Sequence, residues 1–293
     1  ATRCPCPATV AIARSTIGGV PVVDKLPYTP WTQRGHIVDG EFRWRLGVRP
    51  LDPANWIEFG PDADGLDGWI AEKSDVLAQH RDQAFVVRDD IVAESVEIAD
   101  SLVAHLAEHH PDRPHALDAA LHPLEAASRL VPEDLVVMVE RDGRLVFGGG
   151  VVCFPNRWDL PSKLGRTMAE VHQPVAALND QLESGIDRFL ERLEPERPSW
   201  RLGWGIIDTA DGFTPTSAHG AGTASFVRVE RETLRRFPRT RAVLFTIRTY
   251  VAPLESVAPD PRLAAALRSM PVGVRAYKDV DGRVDALVSV LGG

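Results

Sequence analysis

A predicted β-hairpin that runs directly into a long amphipathic helix constrains the fold more than any other feature of this sequence. Residues 135–139 form an apolar, β-branched run, Asp142-Gly143 is a strong hairpin turn signal, and residues 145–154 form the apolar return strand. Gly148-Gly149-Gly150 interrupts that strand without the spacing of a phosphate-binding loop, so we interpret it as close backbone packing or a β-bulge. The centre of the chain is therefore expected to contain tightly connected antiparallel strands.

The helix that follows is predicted by apolar residues that recur at helical spacing: Val175, Leu178, Leu182, Ile186, Phe189 and Leu193. Pro174 suits the first turn of a helix, where its missing N–H costs nothing. His172 is then expected just outside the helix start, fixed between the proline and an apolar run. Such a position can hold an imidazole for a ligand or a metal ion.

The order of the remaining elements favours an α+β fold. Residues 66–80 and 91–109 are predicted helices, residues 200–207 and 242–250 are predicted strands, and the charged residues 227–237 are predicted to be a helix or a strand that turns into a helix. This pattern is typical of an antiparallel sheet with flanking helices segregated to one face or end. Prolines and glycines predict an extended or mobile arm over residues 1–30, and we expect a single domain over residues 31–293.

Charge and composition exclude several classes of protein. The formal net charge of -8 disfavours a nucleic-acid binder, and no apolar run approaches the roughly 20 residues of a membrane helix. The sequence begins without the pattern of a signal peptide, so we interpret the protein as cytoplasmic, with no membrane partner. Cys4, Cys6 and Cys153 are too few for a disulfide framework, and their spacing fits neither a zinc ribbon nor covalent heme attachment.

Four histidines near the end of the second helix suggest a metal site at first sight: His105, His109, His110 and His115. His105 and His109 are four residues apart and share a helix face. No carboxylate motif of a metal site accompanies them, and histidine suits a helix C-terminus electrostatically. We therefore favour a solvated helix end over a metal site.

A series of short motifs points to a known family. In chain order they are Trp56-Ile57-Glu58, Glu133-Asp134-Leu135, Phe154-Pro155-x-x-Trp158, Lys163-Leu164-Gly165, Val171-His172-x-Pro174-Val175, Arg201-x-x-Trp204, Arg228-x-Glu230-Arg231-x-Thr233-Leu234-x-x-x-Pro238 and Phe245-Thr246-Ile247-Arg248-Thr249-Tyr250. The ordered set, from about residue 40 to the C-terminus, resembles the heme-dependent oxidative N-demethylase family. Gly203 and Glu232 depart from its pattern, which commonly has asparagine and glutamine there, and Ala176 replaces a proline.

The resemblance implies a PAS-like antiparallel sheet that binds a noncovalent heme b. It implies a monooxygenase that oxidises a small amine with O2, removes an N-methyl group and releases formaldehyde. It also implies that electrons come from NADPH through flavin and iron–sulfur partner proteins. The sequence has neither a dinucleotide-binding glycine motif nor a cysteine cluster for an iron–sulfur centre, so a reductase or ferredoxin-type donor is expected to be a separate protein.

His172 is the expected axial ligand of the heme iron, because neutral imidazole is a good iron ligand. His219 and a Cys153 thiolate are the alternatives, and a buried structural histidine remains the other role for His172. Heme propionates need cations. The candidates are Arg201, Arg228, Arg231 and Arg248 in the matched motifs, of which one or two are expected to touch the heme, together with Lys163.

The substrate side is expected to involve aromatic and acidic residues. Trp158, Trp204 and Tyr250 could form an aromatic wall for a cation or a methyl group, although core packing is their commoner role. Glu230 could pair with the amine or with Arg231. Three other functions stay open: a heme-based sensor or binding module, an oxygenase acting on another nitrogen-containing substrate in a biosynthetic pathway, and a heme-free structural relative.

Overall fold

A seven-stranded antiparallel sheet forms the centre of the computed structural model, which describes residues 21–33, 37–38, 41–59, 63–175, 178–216 and 225–293. The strands in chain order are β1 (Ile37–Val38), β2 (Glu41–Phe42), β3 (Arg49–Pro50), β4 (Phe85–Val87), β5 (Asp134–Arg141), β6 (Arg144–Val151), β7 (Ser199–Ile207), β8 (Phe226–Arg236) and β9 (Val243–Pro253). The order across the large sheet is β3-β7-β8-β9-β5-β6-β4, and β1 pairs with β2 separately.

Helices cover both faces of this sheet. They are α1 (Ala63–Gln79), α2 (Arg81–Ala84), α3 (Val92–His109), α4 (Pro123–Ser128), α5 (Met168–His172), α6 (Leu178–Arg192), α7 (Leu254–Val257), α8 (Pro261–Arg268), α9 (Val272–Tyr277) and α10 (Val284–Val290), with short 3-10 turns at Pro30–Thr32, Pro53–Asn55 and Pro161–Lys163. The α+β class and the antiparallel sheet are thus confirmed.

The expected segregation of the helices to one face or end is wrong. Helices α1, α3 and α4 pack on one face of β5, and α5 and α6 pack on the opposite face. Helices α8 and α10 extend the first layer over β7 and β8. The reason lies in β5, where residues 134–139 are all buried, so both faces of the strand require a cover.

The hairpin between β5 and β6 forms as predicted. Asp142 and Gly143 occupy its two turn positions with φ of 53° and 73°, the left-handed backbone that this turn type requires. The register between the strands shifts at Val137 and Met138, which marks a bulge. The glycine-rich part of β6 therefore combines close packing with an irregular register, the two interpretations that the sequence left open.

Strand β8 corrects the prediction of a helix within residues 227–237. Its side chains alternate between the two faces, with Arg228, Glu230 and Glu232 towards α6 and with Val227 and Val229 towards the C-terminal helices. Charges placed at every second residue suit a strand that is covered on both sides, provided that each charge has a polar partner. The many charged residues of this segment obscured the two-residue alternation in the sequence, so the prediction included a helix.

Residues 21–31 lie against the sheet. The Val23 amide donates to the Val251 carbonyl at 2.8 Å, Leu26 is buried, and the Trp31 indole donates to Asp260 Oδ2 at 2.8 Å. The division into an arm over residues 1–30 and one domain over residues 31–293 stays a prediction. In the part of the chain that the structure describes, no helix is long and apolar enough to cross a membrane.

Replacing Gly150 by alanine is expected to destabilise the fold by about 2 kcal/mol or more. A Cβ at this position would lie 2.7 Å from the Leu135 carbonyl oxygen. That oxygen and the Gly150 Cα belong to the backbones of paired strands that cannot move apart cheaply. Urea denaturation measures the change. Gly185→Ala is the matched control, because nothing lies within 4 Å of its added Cβ and alanine favours the helix. Equal stability of the two variants would contradict the packing argument.

Candidate functional site

A cavity of about 340 Å³, measured as the space that the centre of a water molecule can reach, separates α5 and α6 from the sheet. Its apolar wall consists of Val136 and Met138 of β5, Phe245 and Ile247 of β9, and Val175, Leu178, Leu182, Ile186 and Phe189 on or next to α6. The predicted amphipathic helix therefore uses its apolar stripe to close this cavity. A flat, apolar slot of this kind suits a planar hydrophobic ligand.

His172 is the last residue of α5 and lines the cavity. This short helix begins with a capping box in which Thr167 and Glu170 satisfy each other's backbone amides. The expected position of His172 is corrected here, because α6 starts only at Leu178 and Pro174 lies in the turn between the two helices. His172 thus ends one helix instead of preceding another.

The imidazole of His172 is neutral and partly unsatisfied. Its Nδ1 atom is buried and has no hydrogen-bond partner among the described residues. Burial lowers the pKa of His172 to about 4, and the charges of Arg201 and Lys163 act in the same direction. A neutral imidazole keeps a lone pair for a metal ion at neutral pH, so the ring is in the state that an axial ligand requires.

Two cations lie close to this imidazole. Lys163 is only 8% exposed, and within the described ranges no carboxylate lies within 4.0 Å of its ammonium group. Burial lowers the pKa of Lys163, and Arg166 acts in the same direction. Arg201 Nε lies 3.4 Å from Glu232 Oε2, a long ion pair. Asp159 raises the pKa of Lys163 from outside ion-pair distance. A buried cation with no carboxylate in contact can therefore pair with a carboxylate ligand at the cavity wall.

Arg228 and Glu230 form a rigid pair on the same wall. Arg228 Nε donates to Glu230 Oε1 at 2.8 Å, and Arg228 Nη2 donates to the Phe154 carbonyl at 2.6 Å and to Thr249 Oγ1 at 3.0 Å. Arg228 is 4% exposed, so most of its donors are committed within the protein. Its clearest role in this geometry is to orient Glu230 towards the cavity.

Arg231 and Tyr250 lie on the opposite face of the sheet and do not line the cavity. Arg231 Nε pairs with Glu58 Oε2 at 2.9 Å, and the Tyr250 hydroxyl donates to the other oxygen of Glu58. Arg248 shares this face, stacked over the ring of Trp69 at 4.9 Å. The period of two along β8 and β9 separates Arg231 from Glu230, although the two are adjacent in the sequence.

The tryptophans divide between the two environments. Trp158 lines the cavity and meets Phe147 edge-on, with ring centroids 5.9 Å apart. Trp204 borders the cavity but is buried against Trp31, with ring centroids 5.9 Å apart. The structure therefore brings together His172, Lys163, Arg201, Arg228, Glu230 and both tryptophans, and it leaves Arg231 and Tyr250 outside.

Lys278, which no sequence motif singled out, also reaches this cavity. It follows α9 directly, and its ammonium group donates to the Trp204 carbonyl at 2.7 Å. The same group lies 5.3 Å from the ring centroids of Trp44 and Trp204. The surrounding sequence shows only helical periodicity, so no local signal indicates that a residue so far along the chain closes the site.

Of the two alternative iron ligands, His219 and Cys153, only Cys153 can be compared with this geometry. His219, like Cys4 and Cys6, lies outside the described residues. Cys153 is fully buried in the core on the other side of the sheet, and burial raises the pKa of its thiol to about 12. A thiol held in that form does not offer the thiolate that iron ligation needs.

Of the four histidines near the end of α3, His109 and His115 are exposed, as expected of a solvated helix end, whereas His105 is buried and His110 is half-buried. His105 is buried against Trp56, with ring centroids 5.3 Å apart, and its ring also contacts those of His109 and His110. The described residues contain no group of three or more His, Cys, Asp or Glu side chains arranged to hold a metal ion. His105 thus packs against Trp56, so the prediction of a solvated helix end holds for His109 and His115 and is wrong for His105.

This cluster is expected to make the fold sensitive to acid. Burial lowers the pKa of His105 to about 4, with His109, His110 and Arg235 acting in the same direction. The unfolded chain binds this proton near pH 6.5, so the contribution to stability is complete above about pH 6.5 and is lost as the pH falls towards 4. As the pH is lowered through this range, the melting temperature of His105→Phe should fall less steeply than that of His115→Gln, an exposed control. Identical slopes would contradict the assignment.

One comparison with known proteins decides the family. The model of the family described as "Haem-dependent oxidative N-demethylase, alpha subunit-like" matches residues 47–288. The chain belongs to this family. The match covers most of the chain. It includes every cavity residue named above except Trp44. Membership in the N-demethylase family implies a heme-dependent oxidative enzyme that uses O2.

The residues present fit a heme. The unpartnered Nδ1 of His172 marks an imidazole that no described residue fixes, the wall between α6 and the sheet is apolar, and Lys163 supplies a cation without a counter-ion. These are the three requirements of a noncovalent heme site: an axial ligand, an apolar slot and a partner for the propionates. They occur together in this one cavity.

Proposed function

We propose that this N-demethylase family member is a heme b-dependent monooxygenase that removes a methyl group from an amine. The observation that carries the proposal is the buried Nδ1 of His172, which has no partner among the described residues, on an imidazole that lines an apolar cavity together with Lys163. His172 would be the axial ligand, and Lys163 and Arg201 would hold the propionates. We further propose that the sheet with its flanking helices is PAS-like.

The overall reaction balances with an external reductant. One N-methyl group, one O2, two electrons and two protons give an N-hydroxymethyl amine and water, and the former breaks its C–N bond to release formaldehyde and the demethylated amine. The bound heme would supply the activation of O2, with electrons from NADPH through flavin and iron–sulfur partners. We propose that the electron donor is a separate protein.

The chain's own residues would bind and orient the amine. Glu230 Oε1 is occupied by Arg228, whereas Oε2 accepts no hydrogen bond from a described residue and is left for an N–H of the substrate. Arg228 fixes the carboxylate so that little conformational freedom is lost on binding. Trp158 and the apolar wall would exclude water around the methyl group. This exclusion would strengthen the attraction between the Glu230 carboxylate and the substrate ammonium group.

Glu230→Gln is expected to lower kcat/KM for formaldehyde release by about 100-fold, because a charge-assisted hydrogen bond to the substrate ammonium becomes a neutral one. The assay supplies heme, NADPH, a surrogate reductase and ferredoxin, and a panel of N-methyl amines that includes N-methyl amino acids. Heme content should match that of wild type. Glu255→Gln, an exposed carboxylate on α7, is the control. Failure of the heme-loaded, reduced protein to release formaldehyde from any panel member would overturn the proposed function.

A further inference from the structure

Lys278 places a cation in the cavity that the heme does not need. Its ammonium group uses one N–H for the Trp204 carbonyl and lies between the rings of Trp44 and Trp204. Within the described residues, no carboxylate lies within 4.0 Å of it. Because an ammonium group carries three donors, the remaining two are available to a ligand.

Glu230 lines the same cavity, and among the described residues no ion pair within 4.0 Å joins it to Lys278. The charge of Glu230 raises the pKa of Lys278, so the two groups are close enough to interact. Burial is nevertheless the larger effect and lowers the pKa of Lys278 to about 8, with Arg157 and Arg201 acting in the same direction. Lys278 and Glu230 therefore present one positive and one negative group to the same cavity.

The balance of charge leaves a place for an anion. Among the residues that the structure describes, six Arg or Lys side chains line the cavity, compared with three Asp or Glu side chains. Burial raises the pKa values of two of these acids, Asp134 and Glu232, which further weakens the negative side. The two propionates of a heme would still leave at least one cation unmatched. Lys163 and Arg201 lower the pKa of the His172 imidazole, which places their charges near the proposed axial ligand.

We propose that the amine substrate also carries a carboxylate, as an N-methylated amino acid does. Glu230 would receive its ammonium end and Lys278 its carboxylate end, so Lys278 determines specificity. Gly203 keeps the space open, since a Cβ there would lie 3.2 Å from Glu230 Oε2 and 3.0 Å from Glu232 Oε1. The proposal rests on the function proposed above and deepens it by naming the substrate class.

Calorimetric titration of the ferric, heme-loaded protein tests this without turnover. The probes are N-methylglycine and N-methylglycinamide, which differ little in size and share the amine, but only the first carries a carboxylate. Wild type is expected to bind N-methylglycine at least about tenfold more tightly than the amide. Lys278→Gln should reduce the ratio to about twofold or less, and Lys278→Arg should retain most of it. Lys25→Gln, an exposed lysine, is the control and should behave as wild type.

Three outcomes would overturn the proposal. The first is equal affinity for the two probes in wild type. The second is an unchanged preference in Lys278→Gln. The third is loss of heme from Lys278→Gln with heme retained in Lys278→Arg, which would make Lys278 a propionate partner. Formaldehyde release without any carboxylate preference would overturn this proposal and leave the proposed function standing. A carboxylate preference in a protein that releases no formaldehyde would instead remove the proposed function.

Discussion

His172→Ala is expected to weaken heme binding by at least about 100-fold and to change the absorption spectrum of any heme that remains. The imidazole is the one group at the apolar wall that combines a neutral state with an unpartnered nitrogen, among the residues that the structure describes. Alanine removes the ligand and leaves only apolar contacts and cation–propionate pairs. Heme titration of the apoprotein, followed by its Soret absorbance, measures the change.

Added imidazole separates ligation from folding in this experiment. If the variant folds, free imidazole should enter the space left by the side chain and restore the wild-type spectrum. His115→Ala is the matched control, because that histidine is exposed and bonds only a nearby backbone carbonyl. Wild-type affinity and spectrum in His172→Ala would show that another group, such as His219, binds the iron.

Lys73→Met is expected to destabilise the protein by about 3–5 kcal/mol. The Lys73 ammonium is fully buried and donates to the carbonyls of Ser128, Val131 and Glu133. Methionine fills most of the volume but leaves three acceptors without a donor. It also removes the positive charge that lowers the pKa of the buried Asp134, whose carboxylate accepts the amides that follow β6.

Denaturant unfolding measures this loss, with Lys25→Met as the matched control. Lys25 is exposed, so its substitution is expected to change the free energy of unfolding by about 0.5 kcal/mol or less. Because Asp134 also borders the cavity, Lys73→Met should weaken heme binding as well. A Lys73→Met variant as stable as Lys25→Met would contradict the account of this buried network.

Local signals in the sequence were sufficient for two of the elements that build the cavity, the β5–β6 hairpin and helix α6. The Asp142-Gly143 turn and the apolar stripe from Leu178 to Ile186 depend on neighbours within a few residues, so they predict a hairpin and a helix directly. Strand β8 misled the prediction, because partners from distant elements, such as Glu58 for Arg231, neutralise its alternating charges. A long-range partner of this kind leaves no mark in the local pattern.

The sequence also predicted the residues of the candidate site only in part. A histidine next to a proline, followed by an apolar helix, pointed to His172, whereas adjacency in the sequence wrongly grouped Arg231 with Arg228 and Glu230 at one cavity. Lys278 was missed because its place depends on how α9 packs against Trp44 and Trp204, elements far apart along the chain. Tertiary packing, and not a motif, decides which of several similar cations reaches the cavity.

Heme titration of the wild-type apoprotein tests the central claim most directly, with Soret absorbance and tryptophan fluorescence recorded together. The account predicts a Soret band that saturates at one heme per chain, with fluorescence quenched in step, because Trp44, Trp158 and Trp204 border the cavity. Absence of a saturable Soret band, or saturation without any change in fluorescence, would contradict a heme held between α6 and the sheet.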